Sequence, residues 1–465
     1  MQDSTKFVLA LFISVLLGTG FGVGTGYFFP LEGSPSNEET EPTEPSTPSA
    51  PLSVTEGGET FETSVTTEGI GKILVQVNLP KSARYTEGAP VLVSVPTFFT
   101  PEISGFRALQ GLTELTTEEG FITMTLMYPG RSDGEGQSSE GEDDFGGPDS
   151  VKALKDVLLF AMGEKNNSDG YSLKELSGIE PLYSDVGIYA FSHPGIAATA
   201  VLGSYPDELE NIAYLVGREN PTSDLFSSLE LGHWNSEGKT RVAEPNPLYE
   251  YPEDYSSTSI DLDYSSIDYD QSTESPYFDT NQNGKLDSTE FSLGTQVPNM
   301  FGKRYYSSAL LHALEDNGAL TASSWPTDLA TPEEADATWP ARESLPYYST
   351  LSTNLHVMLV FAEQSHVQVS PDQPSIHQAY DGFDAAGIWI RLNPDSSYVD
   401  ELTEDSTEQY TERSANTEPS NWLDIVSWAY GTSSYSGIVP MAGILEMADR
   451  AHSQDWSDNL NSTLQ

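Results

Sequence analysis

Cysteine is absent from the 465-residue chain, which excludes disulfides, thiolate metal sites and thiol nucleophiles; stability has to come from a packed core. Positive charge is almost as scarce. Only 20 Lys and Arg stand against 71 Asp and Glu, for a formal net charge of -51 at pH 7. A surface of that sign repels phosphate backbones and anionic headgroups, so nucleic acid is excluded as a partner. It also repels itself, and the compact state then needs salt screening or bound cations to offset the repulsion.

Low Lys usage beside abundant Asp and Glu resembles halophilic proteins, and a salty setting is expected. Near the N-terminus, Phe7 to Phe29 is apolar and glycine-rich, carries no charge, and is long enough to span a bilayer. Lys6 precedes it and Glu32, Glu38 and Glu39 follow, a bias that keeps the N-terminus inside and the bulk of the chain outside. No small-residue cleavage site follows. Residues 1–29 therefore read as an uncleaved signal anchor forming one transmembrane helix, which makes the chain a single-pass cell-membrane protein with its bulk extracellular. Cleavage would instead give a secreted form. Residues 30–57, rich in Pro, Ser, Thr and Glu, read as a disordered stalk.

Residues 58–455 read as one α/β domain. Short buried strands are expected at Lys72–Leu79, Pro90–Val95, Phe121–Met127, Val186–Phe191, Ile212–Val216, His356–Phe361 and Ile388–Leu392. Helical patterns fall at Ser150–Met162, Ile196–Tyr205, Tyr305–Glu315, Ile376–Ala386 and Ala442–Ala451. That alternation predicts a mainly parallel sheet with helices on both faces. Residues 235–300 break the rhythm. They are polar, acidic and tyrosine-rich, and read as an insertion over one end of the sheet.

Within the insertion, Asp279 to Glu290 has the pattern of a calcium-binding loop of the EF-hand type. Asp279, Asn281 and Asn283 supply side-chain oxygens at alternate positions, and Gly284 permits the sharp turn that follows. Lys285 contributes its backbone carbonyl, Asp287 acts through water, and Glu290 closes the loop with both carboxylate oxygens. A single loop without a paired one implies a structural Ca2+ site of weak affinity, kept filled by extracellular calcium.

Three further stretches resemble the α/β-hydrolase superfamily, and together they extend over most of Lys72 to Ala451. Tyr128 to Ser138, reading YPGRSDGEGQS, is similar to that family's Gly-rich loop after an early strand. Val186 to Gly195, reading VGIYAFSHPG, is similar to its nucleophile elbow, a strand–serine–helix turn that requires small residues near the serine. Ala190 meets the requirement; Pro194 stands where glycine is usual and Gly195 comes one place late. His356 to His366, reading HVMLVFAEQSH, is similar to the late strand whose following turn carries the acid, although Ser365 holds the acid's place. After the next strand the usual histidine is replaced by Asn393-Pro394-Asp395.

The resemblance implies a serine hydrolase, esterase- or peptidase-like, with Ser192 as nucleophile and the His193 N–H on the oxyanion. Two arrangements supply the base. His366 and Asp395 form a triad with base and acid exchanged, or His377 serves with Asp372 or Asp381 orienting it. The expected partners are calcium, the membrane through the N-terminal helix, and a small-molecule or peptide substrate. The alternative expectation is a catalytically inactive binding module that retains the fold.

Overall fold

The structure, a computed structural model, describes residues 58–97, 110–132, 136–222, 233–235, 240–242, 267–272, 275–279, 281–287, 290, 297–306, 308–316, 318–321, 325–338, 342–361, 374–403 and 438–457. The expected membrane anchor and stalk lie outside them. Among the described residues no helix is long and apolar enough to cross a membrane.

Eight strands make the main sheet: β1 (Thr60–Thr67), β2 (Gly71–Asn78), β3 (Ala89–Ser94), β4 (Ile122–Leu126), β5 (Pro181–Phe191), β6 (Tyr214–Arg218), β7 (His356–Val360) and β8 (Trp389–Leu392). Their spatial order is β1-β2-β4-β3-β5-β6-β7-β8. β1 and β2 form an antiparallel hairpin, β2 pairs antiparallel with β4, and every pairing from β4 to β8 is parallel. Parallel strands have to be covered on both faces, so their residues are apolar in runs. β3 and β4 are buried at every position.

Helices α1 (Gln110–Glu118), α2 (Pro148–Ala161), α3 (Pro194–Ser204), α4 (Pro374–Ala385), α5 (Ser396–Thr403) and α6 (Ile438–Ser453) provide the cover. One face packs Val151, Leu154, Val201 and Phe383 of α2, α3 and α4 against Val93, Ile188 and Leu215. The other packs Ile444, Leu445 and Ala448 of α6, with Leu115 of α1, against Tyr189, Val216 and Met358. α3 is buried along almost its whole length, which explains its unpatterned apolar sequence.

Between β6 and β7 the described part of the insertion consists of antiparallel ladders, His233–Asn235 with Thr240–Val242, Ile267–Asp270 with Ser275–Phe278, and Val297–Met300 with Lys303–Tyr305. The helix expected at Tyr305–Glu315 begins later, at Ser308, because Lys303–Tyr305 pairs as a strand.

Candidate active site and calcium loop

Ser192 follows β5 directly and α3 starts two residues later. Its φ is +63°, a left-handed conformation that costs a non-glycine residue energy and persists only where its surroundings enforce it. The enforcing contacts are visible. Ser192 N–H donates to the Arg218 carbonyl at 2.9 Å, and the Ser192 carbonyl accepts from Gly195 N–H at 2.9 Å as the helix begins. The chain thus makes a strand–turn–helix elbow at the serine named from the sequence.

Two more non-glycine residues with positive φ stand at the same edge of the sheet. Glu219, just past β6, has φ +47°, and Asn393, just past β8, has φ +59°. Both are buried. Glu219 N–H donates to the Val360 carbonyl, and Asn393 clasps the end of β7, donating to Leu359 and accepting from Phe361 N–H at 2.9 Å. Strain of this kind concentrates at functional sites. The sequence gives little warning of Glu219, which looks like one more acidic residue in an acidic chain.

His193 is helix-like (φ -52°, ψ -32°), and its Nδ1 lies 3.3 Å from Ser192 Oγ. His366 lies outside the described residues, together with Ser365 and Asp372. His377 and Asp381 are on α4. Asp395 is fixed otherwise than the exchanged triad requires: Oδ1 accepts from Ser397 N–H and hydroxyl at 3.0 and 2.8 Å, and Oδ2 lies 3.4 Å from Arg391.

The remaining described histidine rings serve elsewhere. His356, at the start of β7, is held by the Ala213 carbonyl and stacked on Trp456, and burial lowers its basicity. His452 on α6 lies 2.9 Å from buried Asp185 at the start of β5. His312 pairs with Asp336 on the surface.

The Gly-rich loop after β4 is anchored by Arg131, whose Nε donates to Asp143 at 2.9 Å and whose Nη1 donates to the Thr97 carbonyl at 3.1 Å. Asp144 then accepts from Asp149 N–H and from the Ser150 hydroxyl, starting α2.

The candidate calcium loop, Asp279 to Glu290, has its own order. Asp279 accepts from Asn283 N–H at 3.0 Å and Gly284 N–H at 2.8 Å, while Asn281 and Asn283 accept from backbone two residues on. Gly284 has φ +71° and makes the turn. Glu290, only 7% exposed, reaches back with both oxygens to Asn281 and Asp287 N–H groups at 3.3 and 3.1 Å. The Asn281 and Asn283 amides donate to Asp287. Lys285 is exposed.

Among the described residues no three His, Asp or Glu side chains gather closely enough to hold a metal by themselves. The loop's donor set is a mixed one, three carboxylates, two carboxamides and a carbonyl, all oxygen ligands of the type a hard cation takes. Next to it, the Tyr277 hydroxyl is buried without a partner and is pushed up to about 12 by burial and then by Asp279, Asp268, Glu290 and Asp270.

No protein-family model matches the chain, and no curated protein matches it. Solved structures similar to it include the thermostable carboxylesterase EstE1 from a metagenomic library, 15% identical over 36% of this chain and 48% of its own, with a TM-score of 0.26. Others are the esterase Est22, 10% identical over 73% of each chain with a TM-score of 0.37, and the acylaminoacyl peptidase of Pyrococcus horikoshii. The last is 9% identical over 72% of this chain and 36% of its own, with a TM-score of 0.35. The chain thus spans about half the length of the carboxylesterase and about a third of the peptidase. At that distance the likeness carries no argument, and what stands is the fold itself: a mainly parallel α/β sheet covered by helices, with a strand–serine–helix elbow.

Proposed function

We propose that the domain is a serine hydrolase acting on esters or amides. The observation that carries this reading is Ser192 at φ +63° between β5 and α3, a strained and costly geometry with no structural purpose of its own. In this reading Ser192 Oγ attacks the carbonyl carbon, the His193 N–H holds the developing oxyanion, and His366 or His377 takes the hydroxyl proton and returns it to the leaving group. Asp395 would serve as the acid beside His366 only on leaving Ser397, whereas Asp372 or Asp381 would orient His377. The deciding experiment is labelling of Ser192 by an activated phosphonate, with loss of label and of ester hydrolysis in Ser192→Ala.

A second reading, a binding module without catalysis, is favoured by one observation. Asn393 and Asp395 occupy the turn where the family's histidine stands, and both are committed to structural hydrogen bonds. Folded protein whose Ser192 ignores every reactive probe would decide for it.

Calcium belongs to both readings. Asp279, Asn281, Asn283, the Lys285 carbonyl, Asp287 and Glu290 would hold it, and its charge would neutralise the carboxylates that the acidic insertion crowds together. Residues 1–29 would tether the domain to the outer face of the membrane, where calcium and salt are available.

A further inference from the structure

Asn220 stands two residues past β6 and takes no part in the chemistry proposed above, yet its side chain is the busiest donor at the elbow. Its Nδ2 lies 3.0 Å from the Ala190 carbonyl, 2.8 Å from the Ser192 carbonyl and 3.1 Å from the Arg218 carbonyl. These are the carbonyl of the last residue but one of β5, that of the last residue of β6, and the one that turns the chain into α3. Two of the three also accept a backbone N–H, Arg218 from Ser192 and Ser192 from Gly195, so the carboxamide adds a second donor at the points where the chain turns out of the strand ladder.

Two glycines make room for that donor. A Cβ on Gly195 would lie 2.1 Å from the Asn220 carboxamide carbon, and a Cβ on Gly217 would lie 2.3 Å from Asn220 Oδ1. Gly195 is the residue that comes one place late for the family pattern. Its smallness serves a side chain arriving from β6 rather than a close approach of strand and helix backbones. Beside the carboxamide is a small cavity lined by Gly195, Gly217, Thr222, Tyr348 and Leu359. Asn220 is therefore held on that side by its hydrogen bonds more than by packing.

We infer that Asn220 is the positioning residue of the elbow: its carboxamide N–H groups hold Ser192 in the left-handed conformation that presents the hydroxyl, with Gly195 and Gly217 as the slot that admits it. The inference rests on the hydrolase reading for its kinetic consequence and on geometry alone for its structural one. Asn220→Asp keeps the shape and sets carboxylate oxygens against three carbonyls, whereas Asn220→Ala removes the donor.

The test uses the full domain with calcium. The rate of ester hydrolysis is expressed per Ser192 titrated by phosphonate, so that a smaller folded fraction does not register. Both variants are expected to lose on the order of tenfold to a hundredfold in kcat per titrated site with KM little changed, as misplacing a reacting group does. Thr222→Val, which breaks the buried hydrogen bond to Gln378 in the same cavity, is expected to lower the melting temperature and leave kcat per site as in the parent. A per-site kcat in Asn220→Asp equal to the parent's would overturn the inference. If the parent itself takes no label, the hydrolase reading falls and a crystal structure of Asn220→Asp decides this one. Ser192 leaving positive φ supports it, and Ser192 remaining there overturns it.

Discussion

The two edges of the same sheet hold charged and polar groups in opposite ways. At the N-terminal ends of the strands the groups are paired. Asp185, in the bulge of β5, lies 2.9 Å from His452, whose ring stacks on Tyr85 at 3.8 Å. Tyr85 and Arg84 both donate to Asp449 of α6. At the C-terminal ends, Ser192, Glu219 and Asn393 are strained instead. Asp185 and Ser192 are seven residues apart on one strand, which at about 3.3 Å per residue is roughly 23 Å. The Asp–His pair with a buried carboxylate is thus on the edge away from Ser192, where it ties α6 to β5. A histidine beside a carboxylate is a fastening there, whereas backbone strain at three non-glycine residues distinguishes the other edge, on which the proposed chemistry is placed.

The comparison breaks first at Ser192. Ser192→Ala should abolish phosphonate labelling and hydrolysis of small activated esters, and loss of the true base in His366→Ala or His377→Ala should cost on the order of hundredfold in rate. Full activity in Ser192→Ala would show that the strained edge is not the working one. The paired edge gives the complementary result. His452→Ala strands the buried Asp185 carboxylate and should cost about 2 kcal/mol in chemical denaturation, with the rate per titrated site unchanged.

The proposed calcium loop lies in the insertion that follows β6 in the chain. Raising free calcium to ten times its dissociation constant should stabilise the domain by about 1.4 kcal/mol, read as a rise in melting temperature. Glu290→Gln should remove most of that response and Lys285→Ala little of it. A melting temperature indifferent to calcium and chelator in the parent protein would exclude the site.

The smallest effect is expected from acid. Burial raises the Asp449 carboxyl, but the bidentate Arg84 and the hydroxyls of Tyr85 and Tyr398 outweigh it and hold the group below the usual carboxylate range. A depressed folded-state value gives stability that is present above the unfolded value near pH 4 and lost as pH falls through the folded one. Asp449→Asn should flatten the acid limb of a stability–pH curve, whereas an unchanged limb would mean that the pair contributes nothing there.

Every central strand was legible because parallel strands buried on both faces write continuous apolar runs, as at Val91–Val95 and His356–Val360. β1 was not. It is a half-exposed edge strand of alternating Thr, Glu and Ser, whose pairing with β2 depends on the partner rather than on its own pattern. α1 and α5 escaped for a similar reason, since their short polar sequences are helical through packing against α6 and β4.

By itself the sequence determined the sheet's core strands, the serine at a strand–helix junction and the tight turn at Gly284, because burial and turn geometry each impose a fixed local pattern. Only the tertiary structure decided which side chains meet. Asn220 reaches back to the elbow, Asp395 starts a helix, and His452 pairs with Asp185 267 residues away in sequence. Such contacts join residues that are distant along the chain, and no local pattern records them.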